Sequence, residues 1–223
     1  VPLGPVDLHR SIVKSSDIYY YQLANDLGVD AIHDFMKPWG FGQITGVDVE
    51  GEQTGILPSS AWKEKRFKQK WYPGETISVG IGQGYNAFTL LQLAHATANL
   101  ANEGVVMKPH LVKAIEDPRT GEQRLTVRDK SYQIPVKPEH MRFVRDAMVD
   151  VNISGTGRGV FQGVPYRVAG KTGTALVGKY FKRIWSLAAL VTACTSSMCA
   201  GRSSMSSIIG RNDSSARIPP SKR

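Results

Sequence analysis

The residues best suited to chemistry form a short run, Lys171-Thr172-Gly173-Thr174, within a stretch at 164–175 that reads as an extended strand. Glycine inside such a strand often marks a place where a ligand or a second backbone comes close. The lysine and the two threonines would then line that gap with one cation and two hydroxyls. An exposed edge strand with a solubilising lysine would show the same pattern. The four residues alone therefore leave a binding wall and an edge strand equally open.

A nucleophile would complete such a site, and serine-dependent acyl transfer needs a hydroxyl beside a base. A Ser-x-x-Lys spacing places both groups on one face of a helix. Two strings have this spacing, Ser11 to Lys14 and Ser60 to Lys63. We interpret both as capping or surface polarity, since short motifs often match by chance. Ser11 also lies close before Ser15, so one local segment would have to form two walls of a site.

Ser15 and Asp17 form a Ser-x-Asp motif at the start of a predicted helix, far upstream of Lys171. Lys-Thr-Gly together with a motif of this kind is typical of penicillin-binding proteins and serine β-lactamases. Residues 1–177 resemble the later part of the transpeptidase domain of elongation-type class B penicillin-binding proteins. The stretches that carry the resemblance are SSDIYYYQLANDLG, WGFG with TGVD, WKEKRFKQKWYPGETISVGIGQGY, LLQLAHATANLANEG and AGKTGTA. Asp17 stands in place of the commoner asparagine, a variant associated with this subgroup.

The resemblance implies an α+β fold of the penicillin-binding and serine β-lactamase type, represented here by a helical subdomain and the strand that carries Lys171. It implies a peptidoglycan D,D-transpeptidase, which cross-links the cell wall by serine-type acyl transfer and is a target of penicillin. No cofactor and no metal are expected, and the five histidines have no metal-ligand spacing. The alternative is a penicilloyl-serine sensor domain, which shares the fold but signals instead of cross-linking.

The resemblance assigns a role to each residue of the Ser-x-Asp motif and to the lysine. Ser15 would sit beside the nucleophilic serine and relay a proton to the leaving amine. Asp17 would position the substrate amide or the lysine that accompanies the nucleophile. Lys171 would supply positive potential to the site. In the family the nucleophile precedes the Ser-x-Asp motif, whereas Ser60 follows it.

The remaining residues of the run would bind the substrate. Thr172 and Thr174 would hold its terminal carboxylate, and the backbone N–H of Thr174 would be one oxyanion donor. Gly173 would let a stem peptide or a β-lactam lie along the strand edge as an added strand. The Gly-Thr-Gly loop at 155–157 resembles a family loop near the site, but we favour a plain mobile turn there.

The implied partners are a peptidoglycan stem peptide or a β-lactam and, in the membrane, a polytopic glycosyltransferase and rod-shape proteins of the elongation complex. The implied location is the periplasmic face of the bacterial inner membrane. A nucleic-acid partner is not expected, although the formal net charge is +9. The excess positive charge lies after residue 175, where eight basic residues accompany a single acidic one, Asp213. A dinucleotide site at 80–84 is a weak reading, because the third glycine of the fingerprint is misplaced.

Several elements must position these residues. Apolar periodicity and capping residues predict helices at five places: 18–27, 30–37, 59–67, 90–102 and 137–148. The remaining patterns predict a strand that gives way to a glycine turn at 75–84, a flexible loop at 152–159 and the motif strand at 164–175.

The family pattern ends after residue 177, which divides the chain into a partial transpeptidase domain at 1–177 and a non-family tail at 178–223. A frameshift near residue 178 or natural disorder would explain the tail. The chain starts with Val1, and the resemblance places the nucleophile and the first sheet strands upstream. The motif strand would then lack neighbours on both sides, and an isolated strand is not stable. We therefore expect that this polypeptide alone neither forms an acyl adduct nor unfolds cooperatively.

Overall fold

The structure of the chain is a computed structural model that describes residues 3–126 and 130–173. Its helices are α1 Leu8–Lys14, α2 Asp17–Leu27, α3 Val29–Met36, α4 Ser60–Phe67, α5 Pro73–Gly80, α6 Leu90–Ala101, α7 Pro138–Ile153 and α8 Arg158–Phe161. Its strands are β1 Val105–Met107, β2 Ala114–Glu116, β3 Gln123–Leu125 and β4 Lys130–Gln133. Helices and small sheets together confirm the predicted α+β class. The predicted tail at 178–223 and Thr174 lie outside the described residues.

The strands of the described part form two antiparallel pairs, β1 with β4 and β2 with β3. The first pair contributes to the interior, because Val106 of β1 packs with Ile134 and Met141 in a buried cluster. The second pair is exposed, and Ile115 and Leu125 both keep most of their surface in solvent. Only the first pair therefore supports the helices around it.

The interior nearest the motif residues lies between α1 and α7. Ile12 of α1 packs there against Ala147 and Val151 of α7, and both α7 side chains are fully buried. Ala169, two residues before Lys171, belongs to the same buried cluster. Full burial of a side chain as large as that of valine or isoleucine stabilises the fold by roughly 1.5–3 kcal/mol. This cluster therefore fixes the segment that leads to Lys171 against the two helices.

Helix α5 corrects one prediction, since residues 75–84 were expected to start as a strand. Pro73 opens the helix at a position where its missing N–H is not needed. The carboxylate of Glu75 accepts a hydrogen bond of 3.0 Å from the backbone N–H of Tyr72, which caps the first turn. A Cβ on Gly80 would overlap the side chain of Ala24 in α2, so glycine lets the two helices touch. Capping and close packing therefore outweigh the strand preference of the β-branched residues.

The five predicted helices, which are α2, α3, α4, α6 and α7, begin within one residue of their predicted starts, whereas α1 was not predicted. Ser59 caps α4 and Thr89 caps α6, because each hydroxyl oxygen accepts a hydrogen bond from a backbone N–H of the first turn, as their residue types indicate. Helix α7 continues to Ile153, beyond its predicted end at 148, and α8 occupies part of the predicted loop at 152–159. In the described part of the predicted motif strand, residues 164–173, the structure assigns a single β-bridge residue, Ala169, and the full strand at 164–175 stays a prediction. The backbone of this part also bonds to α7, where the Gly170 N–H donates to the carbonyl of Met148.

Candidate active site

Ser15 lies at the junction of α1 and α2 with a left-handed backbone, at φ 52° and ψ 56°. A residue other than glycine in this conformation costs about 1–2 kcal/mol. The Ser15 N–H donates to the carbonyl of Ile12 and ends α1, so the turn directs the chain at once into α2. Backbone strain of this kind is common at functional sites.

Lys171 reaches this turn from the other end of the described chain. Its Nζ donates a hydrogen bond of 2.7 Å to Ser15 Oγ and a second one of 2.9 Å to the carbonyl oxygen of Thr172. Burial lowers the pKa of Lys171 below its ordinary value, and the carboxylate of Asp17 offsets part of that change. The structure thus brings together three residues that the sequence placed in one site.

Asp17 is the first residue of α2 and is exposed to solvent. A carboxylate at a helix N-terminus is stabilised by the backbone N–H groups of the first turn. Because Asp17 acts on Lys171 through its charge, the site combines a cation, a hydroxyl and a carboxylate at its edge. This set can hold a polar substrate and move a proton from the ammonium through the hydroxyl.

Thr172 is held by a residue that sequence reasoning had set aside. Its Oγ1 lies 2.6 Å from Oγ1 of Thr156, in the Gly-Thr-Gly loop that we interpreted as a plain mobile turn. The Thr156 N–H donates to the carbonyl of Val13 at the end of α1, and a Cβ on Gly155 would overlap that same oxygen. The two flanking glycines were the available signal, since they indicate close approach of another backbone.

Gly173 is exposed at the end of the described segment. The backbone of Gly173 itself is therefore accessible to a ligand. Thr174, the second hydroxyl of the run and its predicted oxyanion donor, lies outside the described residues. The described part of the site therefore consists of Ser15, Asp17, Lys171, Thr172 and Gly173, with Thr156 as an addition.

The first Ser-x-x-Lys string is bonded elsewhere. Ser11 is fully buried, donates to the carbonyl of Leu8 at 2.7 Å and lies 3.1 Å from the hydroxyl of Tyr20. Lys14 Nζ donates to the carbonyl of Ser154 at 2.8 Å. The Ser11 hydroxyl and the Lys14 ammonium thus form hydrogen bonds with different partners. The interpretation of Ser11 as surface polarity is wrong, because its hydroxyl is internal.

The second string shows the same division. Ser60 Oγ donates to a carboxylate oxygen of Asp30 at 2.6 Å. Lys63 is 1% exposed and its Nζ donates to both carboxylate oxygens of Glu75, at 2.6 and 2.7 Å. Lys63 is therefore a buried ion-pair partner, which corrects its interpretation as surface polarity. Neither lysine of the two strings is placed to act as a base on its serine.

The part of the chain that the structure describes contains no group of three or more His, Cys, Asp and Glu side chains that could hold a metal ion. None of the helices within residues 3–126 and 130–173 combines the length and the apolar character needed to cross a membrane.

Comparison with known proteins gives consistent matches. The family model for the penicillin binding protein transpeptidase domain matches residues 1–190. The peptidoglycan D,D-transpeptidase MrdA of Acinetobacter baumannii is 45% identical over 177 residues, which are 78% of this chain and 26% of that protein. MrdA of Escherichia coli K12 is 38% identical over 179 residues, which are 78% of this chain and 28% of that protein. The chain thus spans about a quarter of the length of the curated relatives it matches.

Solved structures give the same result. Penicillin-binding protein 2 of Pseudomonas aeruginosa, in complex with WCK 5153, aligns with a TM-score of 0.68 and 42% identity, over 77% of this chain and 39% of that one. The complex of penicillin-binding protein 2 and MreC from Helicobacter pylori aligns with a TM-score of 0.66 and 28% identity, over 79% of this chain and 32% of that one.

Proposed function

The chain belongs to the transpeptidase domain family of the penicillin-binding proteins, in the branch of penicillin-binding protein 2, and on that premise we propose that it forms one wall of a D,D-transpeptidase site. The observation that carries the proposal is the hydrogen bond of 2.7 Å between Lys171 Nζ and Ser15 Oγ. These two residues come from opposite ends of the described chain, and folding places them in direct contact. The matched relatives named peptidoglycan D,D-transpeptidase support the reaction class.

In the proposed reaction, a serine attacks the penultimate carbonyl of a stem peptide and the terminal D-alanine leaves as an amine. The leaving amine needs a proton, and Ser15 Oγ can pass one on because Lys171 Nζ donates to it. Burial lowers the pKa of Lys171, which makes its ammonium a better proton donor. Ser11 and Ser60 take no part as nucleophiles, since the Ser11 hydroxyl donates to the Leu8 carbonyl and the Ser60 hydroxyl to the Asp30 carboxylate.

Substrate binding falls to the segment after Lys171. The Thr172 hydroxyl, oriented by Thr156 at 2.6 Å, would accept or donate a bond at the terminal carboxylate of the peptide. Lys171 adds positive charge next to that carboxylate, and a charge-assisted hydrogen bond is about twice as strong as a neutral one. Thr174 is proposed as a second carboxylate ligand, and Gly173 as the point where the peptide backbone approaches.

The proposed substrate is a peptidoglycan stem peptide that ends in D-Ala-D-Ala, with β-lactams as mimics of that end. Membrane proteins of the elongation complex are proposed partners, and the Helicobacter pylori complex with MreC supports this class of partner. The proposed location is the periplasmic face of the bacterial inner membrane.

The proposal is tested by titrating the isotope-labelled chain with a pentapeptide that ends in D-Ala-D-Ala and following its amide signals by NMR. We expect shifts at Thr172 and Gly173 with this peptide and none with the same peptide ending in L-Ala-L-Ala. Lys171→Ala should abolish the shifts. Lys14→Ala is the matched control and should retain them, because Lys14 is an exposed lysine bonded to a backbone carbonyl. Equal responses to the two peptides, or an unaffected Lys171→Ala variant, would refute the proposal.

A further inference from the structure

One face of α7 holds the backbone that leads to Lys171. Asn152 Nδ2 donates a hydrogen bond of 2.9 Å to the carbonyl of Val168, and the Gly170 N–H donates one of 3.0 Å to the carbonyl of Met148. Met148 and Asn152 lie four residues apart in α7 and therefore on the same face of the helix. Helix α7 thus forms hydrogen bonds with the segment at Val168 and Gly170, which are alternate residues, as an adjacent strand would.

The Asn152 carboxamide also touches the loop that carries Thr156. A Cβ on Gly157 would overlap Asn152 Oδ1, and a Cβ on Gly170 would lie 2.9 Å from Asn152 Nδ2. Asn152 is 6% exposed, so water does not separate it from these two backbones. The carboxamide is therefore wedged between the Thr156 loop and the segment before Lys171.

The positions of these backbones decide the geometry of the site. Gly157 directly follows Thr156, and Gly170 directly precedes Lys171. A displacement of Gly170 moves the adjacent Lys171, whose side chain contacts Ser15. A displacement of Gly157 moves the adjacent Thr156, whose side chain contacts Thr172. Asn152 is the side chain that touches both glycines.

We propose that Asn152 is a positioning residue that sets the Lys171–Ser15 contact and the Thr156–Thr172 contact by holding the two backbones beside them. Asn152 does not touch the reacting groups and acts through Gly157 and Gly170. The inference rests on the proposed function, because these contacts matter for chemistry only if the site binds a substrate. Its test uses the titration of Lys171 without any substrate, so it fails separately from the proposed function.

The test measures the titration of the Lys171 side chain by NMR in the isotope-labelled full chain. Asn152→Leu keeps the number and branching of the side-chain heavy atoms but removes the hydrogen bond to Val168. If the segment loosens, Lys171 becomes more solvated, and we expect its pKa to rise towards the ordinary value of lysine. Asn99→Leu is the matched control, because Asn99 is 1% exposed and lies on α6. It should leave the titration of Lys171 unchanged.

A second pair of variants approaches Asn152 from the loop. Gly157→Ala places a methyl group against Asn152 Oδ1, whereas Gly159→Ala places one where no atom lies within 4 Å. We expect Gly157→Ala to shift the Lys171 titration and Gly159→Ala to leave it unchanged. If Asn152→Leu does not fold, judged by the dispersion of its amide signals, this pair decides alone. An unchanged titration in folded Gly157→Ala, or equal shifts in the control variants, would overturn the proposal.

Discussion

Lys63 and Lys171 are both withdrawn from solvent, but their ammonium groups have opposite kinds of partner. Lys63 is 1% exposed, binds both carboxylate oxygens of Glu75 and lies 4.5 Å from the ring centroid of Tyr72. Lys171 is half-buried and donates to a hydroxyl and a backbone carbonyl. The charge of Lys63 is neutralised within the fold. Within the described residues the Lys171 ammonium donates hydrogen bonds to neutral groups, which leaves its charge for the proposed anionic substrate.

The pKa directions agree with this contrast. Burial alone would raise the pKa of Glu75, but the hydrogen bonds from Lys63 and from the backbone of Tyr72 outweigh it and hold the pKa below its ordinary value. Glu75 therefore stays ionised as the partner of Lys63. At Lys171 burial is the larger effect, and it lowers the pKa in spite of the Asp17 charge. The fold thus keeps the carboxylate partner of Lys63 ionised, whereas burial of Lys171 favours the neutral form of its amine.

The largest expected effect concerns the structural lysine. Lys63→Met leaves the partly exposed carboxylate of Glu75 without its counter-ion, and losing a hydrogen bond to a charged group costs about 1.5–3 kcal/mol. We expect amide hydrogen exchange in α4 and α5 to accelerate by about tenfold to a hundredfold, since each 1.4 kcal/mol is a factor of ten. Lys171→Met, the matched change at the other lysine, should leave those two helices protected. Similar acceleration by the two variants would show that the lysines are not different in kind.

The two lysines also show what could be predicted from the sequence. Lys171, Ser15 and Asp17 were predicted as one site because each stands in a recognisable motif. The Lys63–Glu75 pair was missed because it joins α4 to α5, and the β-branched residues of α5 had indicated a strand. A pairing between two helices depends on their packing, and local residue patterns carry little information about packing.

Asn152 illustrates the same limit. It was assigned to a flexible loop at 152–159, because the glycines that follow it are typical of turns. In the structure these glycines permit close contact, since a Cβ on Gly155 or Gly157 would overlap α1 or Asn152. The motif segment is bonded to α7, and the expectation that it lacks neighbouring strands stays a prediction. Whether the chain unfolds cooperatively stays a prediction.

A smaller effect is expected for the pH dependence of peptide binding, which follows the protonation of Lys171. The ammonium is the form that attracts a carboxylate, so binding of the D-Ala-D-Ala peptide should be full while Lys171 is protonated. Because its pKa is lowered, binding should weaken as pH rises through a range below the ordinary pKa of lysine. The loss of one charge-assisted hydrogen bond, about 1.5–3 kcal/mol, weakens binding about tenfold or more.

The matched variant for this titration is Lys171→Arg, which keeps its charge at every pH used because guanidinium does not deprotonate in proteins. Its peptide affinity, measured by NMR titration, should stay flat where that of the unchanged chain falls. Equally flat profiles for the two chains would mean that the charge of Lys171 does not hold the carboxylate.

The last expectation is the absence of an effect: labelled penicillin should not acylate this chain. Acylation needs a serine beside a base, and both Ser-x-x-Lys strings are bonded elsewhere: Ser11 to Leu8 and Ser60 to Asp30. Lys63, the buried lysine of the string that begins at Ser60, forms an ion pair with Glu75. We therefore expect intact-mass measurement of this chain to show no adduct after incubation with penicillin. A stoichiometric adduct that Ser11→Ala or Ser60→Ala removes would contradict this, and it would make Lys14 or Lys63 the base beside the acylated serine.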